Sequence, residues 1–230
     1  VSKTELTSVG QDYIKVVWSL QEWSDQPVTT KDLAERLGVG ASTVSETVRR
    51  LGTQGLLDHE RYGAISLTEL GRQHALDMVW RHRLIETFLV SELGYTWDEV
   101  HDEAEVLEHA VSDLMIDRID ARLGYPTRDP HGDPIPSKDL VHDRPNALPL
   151  ANLEQGQTGT VSRISDEDPQ VLRYFAELGF GLDTIVTITQ RNDAVGVMNI
   201  EWRQHSDSDP QPLTLGLLAA HAVWIEVTPQ

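Results

Sequence analysis

The stretch Thr29-Thr30-Lys31-Asp32-Leu33-Ala34-Glu35-Arg36-Leu37-Gly38-Val39-Gly40-Ala41-Ser42-Thr43-Val44-Ser45-Glu46-Thr47-Val48-Arg49-Arg50-Leu51 decides how the first third of this chain folds. Thr29 or Thr30 is a side-chain cap with Asp32 in the first turn, so a short helix over 30–37 is expected. Gly38-Val39-Gly40 breaks it. A second helix is expected from Ser42 to Gln54, with Val44, Val48 and Leu51 inward. Helix, glycine-containing turn, helix is the helix-turn-helix arrangement.

Outward from this core the periodicity stays legible. Residues 5–23 carry an apolar stripe of Leu6, Val9, Tyr13, Val16, Val17 and Leu20, which predicts a preceding helix. Residues 55–67 read as a β-hairpin turning near Tyr62-Gly63, a wing. Thr68 caps a long helix expected over 69–93, stopped by Gly94. Thr96 is read as the cap of the next helix, and Ser112 as the start of another that ends at Gly124-Tyr125-Pro126. Residues 126–148 form a linker rich in Pro, Asp and His, where His131 and His142 are expected to be solvated. Beyond it, the apolar runs 159–164, 184–188 and 223–227 and one helix over 169–178 give a small β-barrel pattern of SH3-like size.

The chain has 230 residues, no cysteine and a net charge of −18. Lack of cysteine excludes disulfides, thiolate zinc sites and iron–sulfur clusters. With no apolar leader or membrane-length run, the reading is cytoplasmic with no membrane partner. The acidity argues against nucleic acid, because phosphate contacts need local positive charge. Residues 1–75, however, hold ten acidic and eight basic side chains, so the helix-turn-helix region is close to neutral.

Residues that could bind a cation concentrate elsewhere. His101-Asp102-Glu103-Ala104-Glu105-Val106-Leu107-Glu108-His109 puts His101, Glu105, Glu108 and His109 on one helical stripe, since residues three and four apart are neighbours. Two imidazoles and two carboxylates form a divalent-metal ligand set. His82 and Glu86, at i,i+4, are either a solvated pair or further ligands. No residues are assigned a catalytic role. Glu105-x-x-Glu108-His109 lacks the first histidine of the His-x-x-Glu-His metalloprotease pattern, and no His-Glu-x-x-His, Gly-x-Ser-x-Gly or P-loop occurs. A metallohydrolase and a metal-independent winged-helix regulator stand as rivals.

Taken in order, the winged helix-turn-helix, the histidine–carboxylate run, Pro130-His131-Gly132-Asp133-Pro134-Ile135-Pro136 and the SH3-like tail resemble the diphtheria-toxin-repressor family of metal-dependent transcriptional regulators. The resemblance covers essentially the whole chain. It implies a mainly α fold with a small β part: a winged helix-turn-helix at 1–73, a helical dimerisation and metal-binding domain at 74–145, and an SH3-like β-barrel at 146–230. It also implies about two metal ions per chain. Asp12, Glu105, Glu108 and His109 would form the primary site, and His82, Glu86, His101, Glu167 and Gln170 the second, with Asp168 an alternative tail ligand. Iron-type members place sulfur ligands at the positions of Asp12 and Glu105. Oxygen there favours Mn²⁺, with Fe²⁺ the alternative. Manganese members without the tail carry a carboxylate at the position of Lys15, so the tailed branch's second site is the one implied.

For double-stranded DNA, the exposed positions of the expected recognition helix are Ser42, Thr43, Ser45, Glu46, Arg49 and Arg50. Small hydroxyls allow close approach to base edges, and the arginines suit phosphates. Arg61 adds a wing contact. Few side chains suit base readout, so DNA shape should carry much of the specificity. Such regulators meet palindromic sites as homodimers. The resemblance implies repression of metal-uptake genes.

Overall fold

The structure is a computed structural model that describes residues 6–59, 63–137 and 142–228. Helix α1 (Ser8–Glu22) is opened by Thr7, whose hydroxyl accepts from the Gly10 N–H. Helix α2 (Thr30–Leu37) begins with a reciprocal capping box between Thr29 and Asp32 and ends at Gly38, in the left-handed region. Helix α3 (Ala41–Thr53) follows, then antiparallel strands β1 (Leu57–His59) and β2 (Ile65–Leu67). The hairpin turn with Arg61 and Tyr62 lies outside the described residues.

Helix α4 (Glu69–Leu93) is capped by Thr68 and stopped by Gly94. At 25 residues it is about 37 Å long, enough to serve two cores. Its first turns pack Ala75, Leu76 and Val79 with Ile14, Val17, Leu33, Val48 and Leu51. Its later turns pack Leu84, Ile85 and Leu89 with α5 (Val100–Leu107) and α6 (Asp113–Leu123). The helix expected from Thr96 starts later: a turn closed by the Glu99 N–H donating to the Thr96 carbonyl precedes it, and α5 begins at Val100. It ends at Leu107, so Glu108 and His109 lie just past its last turn.

The third core lies under a six-stranded antiparallel sheet: β3 (Leu148–Pro149), β4 (Thr158–Ile164), β5 (Ile185–Asn192), β6 (Val197–Arg203), β7 (Gln211–Gly216) and β8 (Val223–Val227), in the order β3-β8-β4-β5-β6-β7. Helices α7 (Pro169–Leu178) and α8 (Leu217–His221) complete this part. The expected small SH3-like β-barrel takes the form of one six-stranded sheet with two edges among the described residues. Edge strand β3 contains Pro149 and edge strand β7 contains Pro212. A proline has no N–H to extend the ladder.

The linker that follows α6 is not solvated throughout. Its Asp129–Asp133 turn is buried against β4, and the Ile164 N–H donates to the His131 carbonyl at 2.9 Å. Gly132 has φ +93°, and a Cβ there would lie 2.0 Å from the Ser162 carbonyl oxygen. Only glycine can make that approach. Gly132→Ala should therefore destabilise the protein by about 1–3 kcal/mol. Chemical denaturation checks this, and an unchanged midpoint would contradict it.

Candidate metal centre

Helix α1 brings Asp12 and Lys15 to the segment that closes α5. His109 Nε2 lies 2.8 Å from Asp12 Oδ1 and 3.5 Å from Glu108 Oε1. The other ring nitrogen, Nδ1, is 2.9 Å from the Gln11 amide oxygen, which fixes the ring. Donor atoms of Asp12, Glu108 and His109 all lie within 4.8 Å of one another. Burial raises the Asp12 carboxyl above its ordinary value, against the opposing pull of His109.

Glu105, expected in this group, adjoins it through Lys15 and is grouped with His82 and Glu108. Its Oε1 accepts from the Lys15 ammonium at 2.7 Å, and Lys15 also donates to Glu108 Oε1 at 2.6 Å. Burial opposes the lysine's charge, but Glu108 and Glu105 outweigh it and raise Lys15 above the usual lysine range. Glu108, 1% exposed, meets His82 Nδ1 with its other oxygen at 2.5 Å.

His82 leads to a second cluster. Its Nε2 lies 3.0 Å from Glu86 Oε1 and 3.3 Å from His101 Nδ1. His101 Nδ1 is 3.3 Å from Glu86 Oε1 and 3.1 Å from Asp166 Oδ2. His131, fully buried, completes it. Its Nε2 lies 2.6 Å from the Trp97 carbonyl, which can only accept. Nδ1 faces Glu86 Oε2, 3.9 Å away, and has no hydrogen-bond partner; burial opposes a charge on the ring, but Asp129 and Glu86 outweigh it and raise His131 above the ordinary histidine value. Either a proton on Nδ1 or a bound cation would satisfy this buried imidazole–carboxylate pair. Glu86, His131 and Asp166 form one compact donor group, and His82, Glu86 and His101 another. Oxygen and imidazole donors without sulfur suit a hard or borderline divalent ion.

The tail carboxylate at His101 is Asp166, one residue before the expected Glu167. Glu167 instead pairs with Arg36 on α2 at 3.2 Å. Asp168 caps α7 by accepting from the Gln170 N–H, and Gln170 is exposed. His142, expected in solvent, is mostly buried against Glu22 at 2.7 Å. His131, also expected in solvent, is buried because Gly132 brings the turn against β4.

That turn is anchored by charge. Arg83 donates to Glu22 at 3.0 and 2.6 Å, and its Nη2 lies 3.4 Å from Asp133 Oδ1. Asp133 also accepts from Trp23 at 2.9 Å and from Arg163 on β4 at 2.7 Å. Asp129 accepts the N–H groups of His131 and Asp133, and burial together with Asp133 pushes its carboxyl up to about 7. The end of α1, the middle of α4 and strand β4 thus meet in one network. A cavity of about 680 Å³, lined by Asp12, Lys15, Glu86, His101 and Asp166 among others, opens between these parts.

On the opposite side of the first core, α3 exposes Ser42, Thr43, Ser45, Glu46, Arg49 and Arg50. Among the described residues neither Arg49 nor Arg50 is held in an ion pair.

Comparison with known proteins covers the same parts. Residues 5–65 match the family described as iron dependent repressor, N-terminal DNA binding domain. Residues 68–137 match iron dependent repressor, metal binding and dimerisation domain, and residues 148–227 match the FeoA domain. The iron-dependent repressor IdeR of Mycobacterium tuberculosis is 38% identical over 132 residues, and the chain spans 57% of the length of that relative. The diphtheria toxin repressor of Corynebacterium diphtheriae is 33% identical over 205 residues, 89% of this chain and 81% of the relative. A solved manganese-dependent transcriptional repressor in complex with manganese superposes with a TM-score of 0.90 at 55% identity, covering 95% of this chain and 100% of that one.

The charges give a pH signature. His82 is pushed up to about 9: burial opposes its charge, but Glu86 and the bond to Glu108 prevail. His101 is pushed up to about 10 in the same way by Asp166 and Glu86. Their stabilising contribution is complete below the ordinary histidine value of 6.5 and is lost as pH rises through those values. The thermal midpoint of chelator-treated protein should therefore fall between pH 6.5 and 9. A flat or rising midpoint across that window would contradict the assignment.

Proposed function

The chain belongs to the family of iron-dependent repressors, and from that premise we propose that it is a metal-activated, DNA-binding transcriptional repressor responding to Mn²⁺. The observation that carries this reading is the joining of two carboxylate–imidazole donor groups through the Glu108–His82 contact, with one donor, Asp12, supplied by α1. The primary group is Asp12, Glu108 and His109, with Glu105 adjoining it. The second is His82, Glu86, His101, His131 and Asp166. Glu167 and Gln170 could join it only by leaving Arg36 and the exposed start of α7.

A bound divalent ion supplies the positive charge that lets these acceptors stay together. Asp12 then ties α1 to the end of α5. Because α1 packs on α2 and α3 through Ile14, Val17, Leu33 and Leu51, its position sets that of the recognition helix. Ser42, Thr43 and Ser45 would approach base edges, and Arg49 and Arg50 the phosphates, with Glu46 limiting affinity. Arg61 would add a wing contact. Exposed Val106, Leu114 and Met115, on α5 and α6, support a homodimer facing a palindromic operator. The family matches support a DNA-binding part at 1–73, a dimerisation and metal-binding part at 74–145 and an SH3-like part at 146–230. Oxygen-rich donors and the manganese-bound relative favour Mn²⁺ over Fe²⁺, and metal-uptake genes are the proposed targets.

Operator binding at fixed salt, with Mn²⁺, with anaerobic Fe²⁺ and with EDTA, tests this. Mn²⁺ should tighten binding about 5–150-fold over EDTA, and DNA should tighten Mn²⁺ binding by the same factor. Asp12→Ala should abolish that gain while leaving the helical content intact. Equal affinity in EDTA, or an undiminished Mn²⁺ effect in Asp12→Ala, would overturn the reading.

A further inference from the structure

Trp23 closes α1, yet it is not among the residues of the first core. Its ring packs against the later part of the chain instead. The Trp224 ring on β8 lies 4.7 Å away, centre to centre. The guanidinium of Arg163 on β4 is 4.8 Å from the Trp23 ring centre, and that of Arg144 in the linker 5.2 Å. The indole N–H donates to Asp133 Oδ1 at 2.9 Å, the same oxygen that accepts from Arg163 at 2.7 Å. Arg144 also donates to the Glu22 carbonyl at 2.6 Å, so one residue covers both this ring and the last turn of α1. A turn, a linker and two strands thus build a socket around one side chain of the DNA-binding part.

Resting on the metal-regulated reading above, we infer that Trp23 is a positioning residue for operator binding: through it the linker and the tail grip the DNA-binding unit. An indole suits this role. It is large and rigid, its face attracts guanidinium cations, and its N–H seeks an acceptor. Helix α1 shares its core with α2 and α3 through Ile14, Val17, Leu33, Val48 and Leu51, so a hold on its end is a hold on the recognition helix. Glu22 fastens that end to α4 through Arg83, and Trp23 fastens it to the tail. Among the described residues, Asp133, Arg144, Arg163 and Trp224 belong to none of the metal donor groups. The tail therefore acts on the DNA-binding unit along a route that needs no metal ligand from it. Metal at Asp12 draws the start of α1 to the end of α5, and the socket keeps the other end from swinging away in response.

The test measures operator affinity of the full chain in Mn²⁺ and hydrogen exchange of the full chain in EDTA. In Mn²⁺, Trp23→Ala should bind operator about tenfold more weakly than wild type. Trp23→Phe, which keeps a ring beside Arg163 and Trp224, should recover part of that loss. Arg163→Met should weaken binding from the other side of the contact. The double variant Trp23→Ala/Arg163→Met should lose clearly less than the product of the two single losses, because both remove one contact. In EDTA, the amides of residues 19–24 should exchange about tenfold faster in Trp23→Ala, while those in the middle of α4 keep the wild-type rate. Wild-type operator affinity in Trp23→Ala, no recovery in Trp23→Phe, fully multiplicative losses in the double variant, or unchanged exchange at 19–24 would overturn the inference. Faster exchange that includes α4 would reduce Trp23 to a support of the fold and overturn it as well. Equal operator affinity of wild type in Mn²⁺ and EDTA would instead overturn the metal-regulated reading, while the exchange result still decides whether the socket holds α1.

Discussion

Glu108 is a carboxylate that water does not reach, and its two oxygens are claimed by different helices: Lys15 from α1 and His82 from α4. A buried charge must be offset by its immediate neighbours. That requirement holds α1 against the end of α5 and links the primary donor group to the second. Near its other end, α1 is pinned by a second buried charge, Glu22, through the forked bonds of Arg83. The Glu22 end is closed by fixed protein charges. The Asp12 end faces donors with room for a cation. Helix α1, on which α2 and α3 rest, therefore has a permanent anchor and an adjustable one, the arrangement a metal-responsive DNA-binding unit needs.

The helices were legible because their ends are marked chemically. Thr29, Thr68 and Ser112 cap as expected, and Gly38, Gly94 and Gly124 stop their helices in the left-handed region. At Thr96 the start differs: residues 96–99 form a turn, and α5 begins a turn late at Val100. Strands β6 and β7 were missed. β7 is largely exposed and contains Pro212, so it carries little of the alternation that marks a half-buried strand.

The site was legible residue type by residue type, and less so in register. Four donors on the His101–His109 stripe were evident from spacing. Their division between groups was not, because spacing along one helix says nothing of what another helix presents. Lys15 bridges Glu105 and Glu108, while His109 faces Asp12. Asp166 and Glu167 are adjacent carboxylates that point to different partners, and only the approach of β4 to α5 distinguishes them. His131 lay in a polar linker whose composition suggested solvent. Its burial follows from Gly132 packing against β4, a long-range contact that no local pattern encodes.

Metal control of this chain turns on where a divalent ion sits. Crystals grown with Mn²⁺ and measured at the manganese absorption edge locate it directly. The anomalous difference map should show one peak among Asp12, Glu108 and His109, and one bounded by Glu86, His131 and Asp166 with His82 or His101. A map without peaks at these donors, or with its strongest peak elsewhere on the chain, would contradict it.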